Sequence, residues 1–183
     1  CLFDNEEVGS GTRQGALSSF LPDVLARISH ALDLDPQQVR QALAGSMLLS
    51  ADNGHAVHPN FTEKADPANK VYPNGGVVVK LSANQKYTTT GLTAGLFRTI
   101  CQQAGVPVQV FANRADEPGG STLGNLLSQA VSIPMVDIGM AQLAMHAAVE
   151  TAGSQDPAHM ARACAAFFQT PFTLAADGVY RFA

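Results

Sequence analysis

Long apolar runs, clustered basic residues and closely spaced cysteines are all missing from this 183-residue chain, and each absence removes a class of protein. No apolar stretch reaches the ~18 to 20 residues that a membrane-crossing helix needs, and no signal-peptide pattern is visible. There is no run of Lys and Arg and the formal net charge is -4, so a phosphate-binding surface for DNA or RNA is not expected. The cysteines, Cys1, Cys101 and Cys164, are odd in number and form no CxxC pair, which favours free thiols in a reducing compartment over a zinc finger or a disulfide framework. Charged residues make up only 14% of the chain against 46% hydrophobic, a balance that suits a packed core. No internal repeat or low-complexity linker divides it. These features predict a soluble, cytoplasmic domain that works on small molecules or peptides.

The apolar run Cys1-Leu2-Phe3 stops at Asp4, Glu6 and Glu7 and opens into Val8-Gly9-Ser10-Gly11. That order predicts a buried strand delivering carboxylates to a sheet edge. A chain starting with Cys at the buried end of a strand is expected to be the C-terminal part of a longer polypeptide. Apolar residues from Leu17 to Leu32 recur at helical spacing, with a kink or restart at Pro22, and a shorter helix is expected from Asp35-Pro36 to Leu43. Strands are expected over 46–51, 77–81, 106–111 and 133–138, and helices over 88–104, 121–130 and 142–151. The last helix has Asp156 as its expected N-cap and Pro157 at its first position, with Met160, Cys164, Phe167 and Phe168 facing inward. Alternating strands and helices imply a three-layer α/β/α sandwich around a mixed, mostly parallel sheet.

Adjacent glutamates at a strand end can divide the work of metal-assisted hydrolysis, one binding a cation and one acting as general base; alone, such a doublet is most often a solvated acidic loop. Asp52 closes the second strand and would meet them at the same edge if the strands run parallel, or else forms an Asx turn, while His55 beside it reads as structural. His146, on the expected 142–151 helix, could reach a metal, with Glu150 one turn on to orient its ring; the alternative is a packed boundary histidine. The turn Asp116-Glu117-Pro118-Gly119-Gly120-Ser121 could hold an oxyanion on its amides, or simply lead into a helix capped by Ser121. It is not a P-loop. Lys80 and Tyr87 could contact an acidic ligand or snorkel at the surface.

Taken together, Leu2-Phe3-Asp4-Asn5-Glu6-Glu7-Val8-Gly9-Ser10, Ser50-Ala51-Asp52, Gly54-His55-Ala56-Val57-His58-Pro59-Asn60, the stretch from Lys80 to Tyr87, the glycine turn at 119–124 and Gln142-Leu143-Ala144-Met145-His146 resemble the aspartyl aminopeptidase family of co-catalytic zinc exopeptidases, in order and to about Phe168. Glu-Glu-Val-Gly is shared with tetrahedral deblocking aminopeptidases, and the Ala-Val-His-Pro-Asn and Gln-Leu-Ala-Met-His segments separate the two. The resemblance implies the zinc-exopeptidase fold and removal of N-terminal Asp or Glu from peptides by a two-zinc site in which cobalt or manganese could substitute. It makes Glu6 the general base, Glu7, Asp52 and His146 metal ligands, and His58, Lys80, Tyr87 and Gly120 substrate contacts. It implies a homo-oligomer, a dodecamer in the intact family. It also implies an upstream histidine, a metal-bridging aspartate and a lid and dimerisation domain, none of them within these 183 residues, so the isolated chain is expected to be inactive or to bind metal weakly. A broader-specificity aminopeptidase or deacylase of the same fold, and a non-catalytic oligomerisation or interaction module, are the competing expectations.

Overall fold

A computed structural model describes residues 1–6, 8–175 and 178–182. The first helices are α1 (Phe20–Ala31) and α2 (Pro36–Ala44). Pro22 lies in the first turn of α1, where a missing N–H costs no helical hydrogen bond. The α2 start is fixed by a capping box, in which the Asp35 side chain accepts from the Gln37 and Gln38 amides while the Gln38 side chain accepts from the Asp35 amide. The apolar residues of the first segment, Leu17, Phe20, Ile28 and Leu32, remain exposed.

Strands β1 (Leu48–Ala51) and β2 (Gly54–His55) come next, followed by β3 (Val77–Leu81), helix α3 (Gly91–Gln103), β4 (Val108–Ala112), α4 (Leu123–Ala130) and β5 (Met135–Gly139). The principal sheet has the order β1-β5-β3-β4. Its β1–β5 and β3–β4 pairings are parallel and its central β3–β5 pairing is antiparallel, so the sheet is mixed and mostly parallel. After β1 and after β5 the chain passes from this sheet to a second one, where β2 runs parallel to β6 (Ala141–Leu143), which pairs with β7 (Thr151–Ala152). Helix α5 (Asp156–Gln169) and the hairpin of β8 (Phe172–Leu174) and β9 (Tyr180–Phe182) complete the order.

Alternation along the strands decides what each face of the principal sheet carries. Val77, Val79, Val136 and Ile138 pack against Leu96, Phe97, Ile100 and Cys101 of α3 and Ala163 and Phe167 of α5. The other face carries Val78, Lys80, Ser50 and Asp137, covered by α4, by the small sheet and by a cluster of Val71, Tyr87, Phe111 and Ala141. Helices therefore lie on both faces, as the three-layer expectation requires. Among the described residues no helix is long and apolar enough to cross a membrane.

Four local expectations are corrected. The Cys1-Leu2-Phe3 run is not a strand: Leu2 is 97% exposed, and only Asn5 pairs, in an isolated bridge with Gly15. Three apolar residues with no neighbouring strand to accept their backbone groups gain little by extending. The expected 142–151 helix is replaced by β6, a turn and β7. Gly139 passes so close to β1 that a Cβ there would lie 2.0 Å from the Asp52 carbonyl oxygen, and the chain continues extended beside β2. Ala144 and His146 then adopt φ of 58° and 66°, which a right-handed helix cannot contain.

At the last helix, Gln155 holds the N-cap position, while the buried Asp156 carboxylate turns away to accept the Asn74 amide at 2.8 Å and the Gly76 amide at 3.2 Å. Phe168 is 81% exposed, because the inward stripe of α5 runs through Asp156, His159, Ala163 and Phe167 at three- and four-residue spacing. The N-cap position of α4 is likewise Thr122 rather than Ser121.

Candidate active site

The two strands that change sheets do so side by side, and their crossing builds the site. Asn53, between β1 and β2, donates through Nδ2 to Gln142 Oε1 at 2.6 Å and accepts the Met140 amide through Oδ1 at 3.1 Å. Asp52 is therefore held at the end of β1 on a backbone tied to β6. Lys80 reaches this point from β3 with only 2% of its surface exposed. Its Nζ donates to the Asn53 carbonyl at 2.6 Å and to Asp52 Oδ2 at 3.3 Å, and it lies 5.5 Å from the centroid of the Tyr87 ring. The Tyr87 hydroxyl accepts from Asn113 Nδ2 at 3.2 Å.

Burial depresses the Lys80 ammonium below its usual range, and the negative charges of Asp52, Asp137 and Glu6 oppose that fall. Glu6 is the weakest of these opposing charges. Burial also lowers His55, reinforced by His146 and Lys80 and opposed by Asp52. Asp52, Lys80, Tyr87, His55, His146 and Glu6 thus share one electrostatic neighbourhood. His55, read from sequence as structural, lies on β2 three residues after Asp52.

Other sequence candidates are dispersed. His58 is exposed, its Nδ1 accepts the Asn60 amide at 3.2 Å, and its ring lies 5.1 Å from that of Phe61. It lines a groove of about 520 Å³ floored by Ala56, Val71 and Phe111 that also touches His55 and Asn113. Gly120 is exposed at the surface. Glu150 Oε1 accepts the backbone N–H of His146 at 2.6 Å, which holds the turn. Glu7 lies outside the described residues.

Sequence reasoning missed Asp137, which is wholly buried in β5 beneath this constellation. Its Oδ1 accepts from the Ser50 and Thr122 hydroxyls, both at 2.6 Å. Its Oδ2 accepts from the Thr88 amide at 2.5 Å and the Thr88 hydroxyl at 2.7 Å. The available signal was an acid inside an otherwise apolar strand, since a buried carboxylate demands several donors.

A carboxylate and an imidazole are donor types that zinc accepts, and Asp52 and His146 supply both in this neighbourhood. Among the described residues no group of three or more His, Cys, Asp and Glu is placed to hold an ion.

A mixed α/β sheet that gathers carboxylates, imidazoles and a buried ammonium where its strands leave it defines a candidate hydrolase site. The chain belongs to the M18 peptidase family, described as Aminopeptidase I zinc metalloprotease, whose pattern it matches over residues 1–168. A probable M18 family aminopeptidase 2 of Clostridium acetobutylicum is 44% identical over 166 residues, which are 91% of this chain and 38% of the relative. The fold is also that of a chain in the cryo-EM structure of the Ape4 and Nbr1 complex, at 40% identity and a TM-score of 0.88, covering 91% of this chain and 32% of that one. It matches the S. cerevisiae mApe1 dodecamer at 33% identity and a TM-score of 0.80, covering 92% of this chain and 37% of that one. The chain thus spans about 38% of the length of the curated relative it matches.

Proposed function

We propose that this chain supplies part of the catalytic domain of a metal-dependent aminopeptidase that removes N-terminal acidic residues from peptides. The observation that carries the reading is the buried Lys80 ammonium beside Asp52 and against Tyr87. A cation in a partly dry site favours a carboxylate partner through a charge-assisted hydrogen bond, and a leucyl side chain offers it nothing. In this reading Asp52, His146 and Glu7 hold zinc, while Glu6 accepts the proton of the attacking water. Bound there, zinc would supply Lewis-acid chemistry and a more acidic water, and the two-metal reading would add a second ion of the same kind. The dodecamer formed by S. cerevisiae mApe1 supports a homo-oligomeric parent.

A broader-specificity reading has one observation in its favour, since Lys80 already donates to the Asn53 carbonyl at 2.6 Å and to Asp52 at 3.3 Å. An incoming carboxylate must compete with both. The two readings separate in a protein completed to the length of its relatives and assayed on aspartyl and leucyl substrates. Hydrolysis should stop on chelation and return with zinc, and Glu6→Gln should lower kcat by about 10² to 10⁴. Lys80→Ala should cut the aspartyl-over-leucyl ratio about tenfold or more, as loss of a charge-assisted bond implies. An unchanged ratio would hand the case to the broader enzyme, and zinc-independent hydrolysis would remove both.

A further inference from the structure

The buried carboxylate of Asp137 belongs to none of the roles assigned above, yet it touches three of the segments that form the site. Ser50, two residues before Asp52, donates to Oδ1. Thr122, at the end of the glycine turn, donates to the same oxygen. Thr88, directly after Tyr87, gives both its amide and its hydroxyl to Oδ2, and Thr89 Oγ1 accepts the Asp137 amide at 2.8 Å. The four bonds to the carboxylate come from a backbone amide and from Ser and Thr hydroxyls, and no cation contacts it directly among the described residues. Gly124 keeps the space open, because a Cβ there would lie 2.8 Å from Asp137 Oδ1, 2.9 Å from Ser50 Oγ and 2.9 Å from Thr88 Oγ1.

A wholly buried anion is costly unless fully hydrogen-bonded, so the four donors have little freedom to leave it. Satisfying the carboxylate therefore fixes the strand that delivers Asp52, the loop that lays Tyr87 against Lys80, and the turn before α4. We propose that Asp137 is a positioning residue for the acidic-residue pocket, setting the placement of Tyr87 through Thr88 and that of Asp52 through Ser50. The inference rests on the functional reading above for what the pocket receives, and on these hydrogen bonds alone for the placement.

The chain has three tyrosines, Tyr72, Tyr87 and Tyr180, and no tryptophan, so 3-fluorotyrosine labelling gives a simple ¹⁹F spectrum in which Tyr87→Phe assigns the relevant line. Asp137→Asn exchanges an acceptor oxygen for an NH₂ that faces a donor. Thr88→Val removes one hydroxyl donor, keeps the carboxylate and guards against a misfolded Asn variant. Both substitutions are expected to displace the Tyr87 line while those of Tyr72 and Tyr180 hold their positions. In the completed enzyme, Asp137→Asn should raise KM for an aspartyl substrate about tenfold or more with a smaller change in kcat. Added to Tyr87→Phe it should raise KM much less, because residues acting through one another are not additive. A Tyr87 line unmoved in both variants, or a fully multiplicative double variant, overturns the proposal. If the completed enzyme hydrolyses nothing, the functional reading fails and the Tyr87 line alone decides the placement.

Discussion

The two faces of the principal sheet are made by alternate residues of the same strands, yet one is a dry apolar core and the other a network of buried polar groups. In β3, Val77 and Val79 point to one side, and Val78 and Lys80 to the other. In β5, Val136 and Ile138 face α3 and α5, and Asp137 faces the site. The apolar face tolerates any arrangement that keeps its volume filled, whereas the polar face works only if each donor and acceptor is matched. The first face supplies stability and the second spends part of it on a defined geometry.

The largest expected effect lies on the dry face. Phe97 is fully buried between the sheet and α5, and Phe97→Ala should destabilise the chain by about 3–5 kcal/mol, read from chemical denaturation. The polar face should be sensitive to far smaller changes. Gly124→Ala adds a single methyl group into the Asp137 network and should cost about 1–3 kcal/mol, because the neighbours it meets are held by their own hydrogen bonds. Gly120→Ala, in the same glycine-rich segment, meets nothing within 4 Å and should change stability by no more than about 0.5 kcal/mol. Equal costs at Gly120 and Gly124 would mean that the segment resists any side chain and that the network is not the cause.

The contrast also explains what was readable in the residues beforehand. The dry face was legible because continuous Val and Ile runs and an apolar stripe at three- and four-residue spacing have simple periods, and β3, β5, α3 and α5 lie close to the expected ranges. The polar face was legible only at its strand ends, through Asp52, Lys80 and Tyr87. Asp137 reads from sequence as an interruption of a strand, since its partners Ser50, Thr88 and Thr122 are far away along the chain. The stretch after Gly139 misled for a related reason. Ala141 to Ala148 contains good helix formers, but pairing of β6 with both β2 and β7 overrides their local preference. Placement of His146 therefore depends on a sheet crossing that no local spacing encodes.

The smallest effect sharpens the comparison through pH. Cys101 sits in the dry core, where burial, aided by nearby Cys164, pushes its thiol from 9.0 up to about 12. The unfolded chain then loses this proton at lower pH than the folded one, so the folded state holds more protons between these two values. Stability must fall as pH rises through that window, and the contribution of the protonated thiol is fully present below pH 9.0. Cys101→Val keeps the volume and removes the titrating group, so urea midpoints of the variant should decline less steeply across the same range. Parallel pH curves for the two proteins would show that the thiol is not held in a dry environment. In the native chain, thiol reagents at neutral pH should modify the exposed Cys1 and leave Cys101 unreacted until the core opens, because only the accessible thiolate reacts.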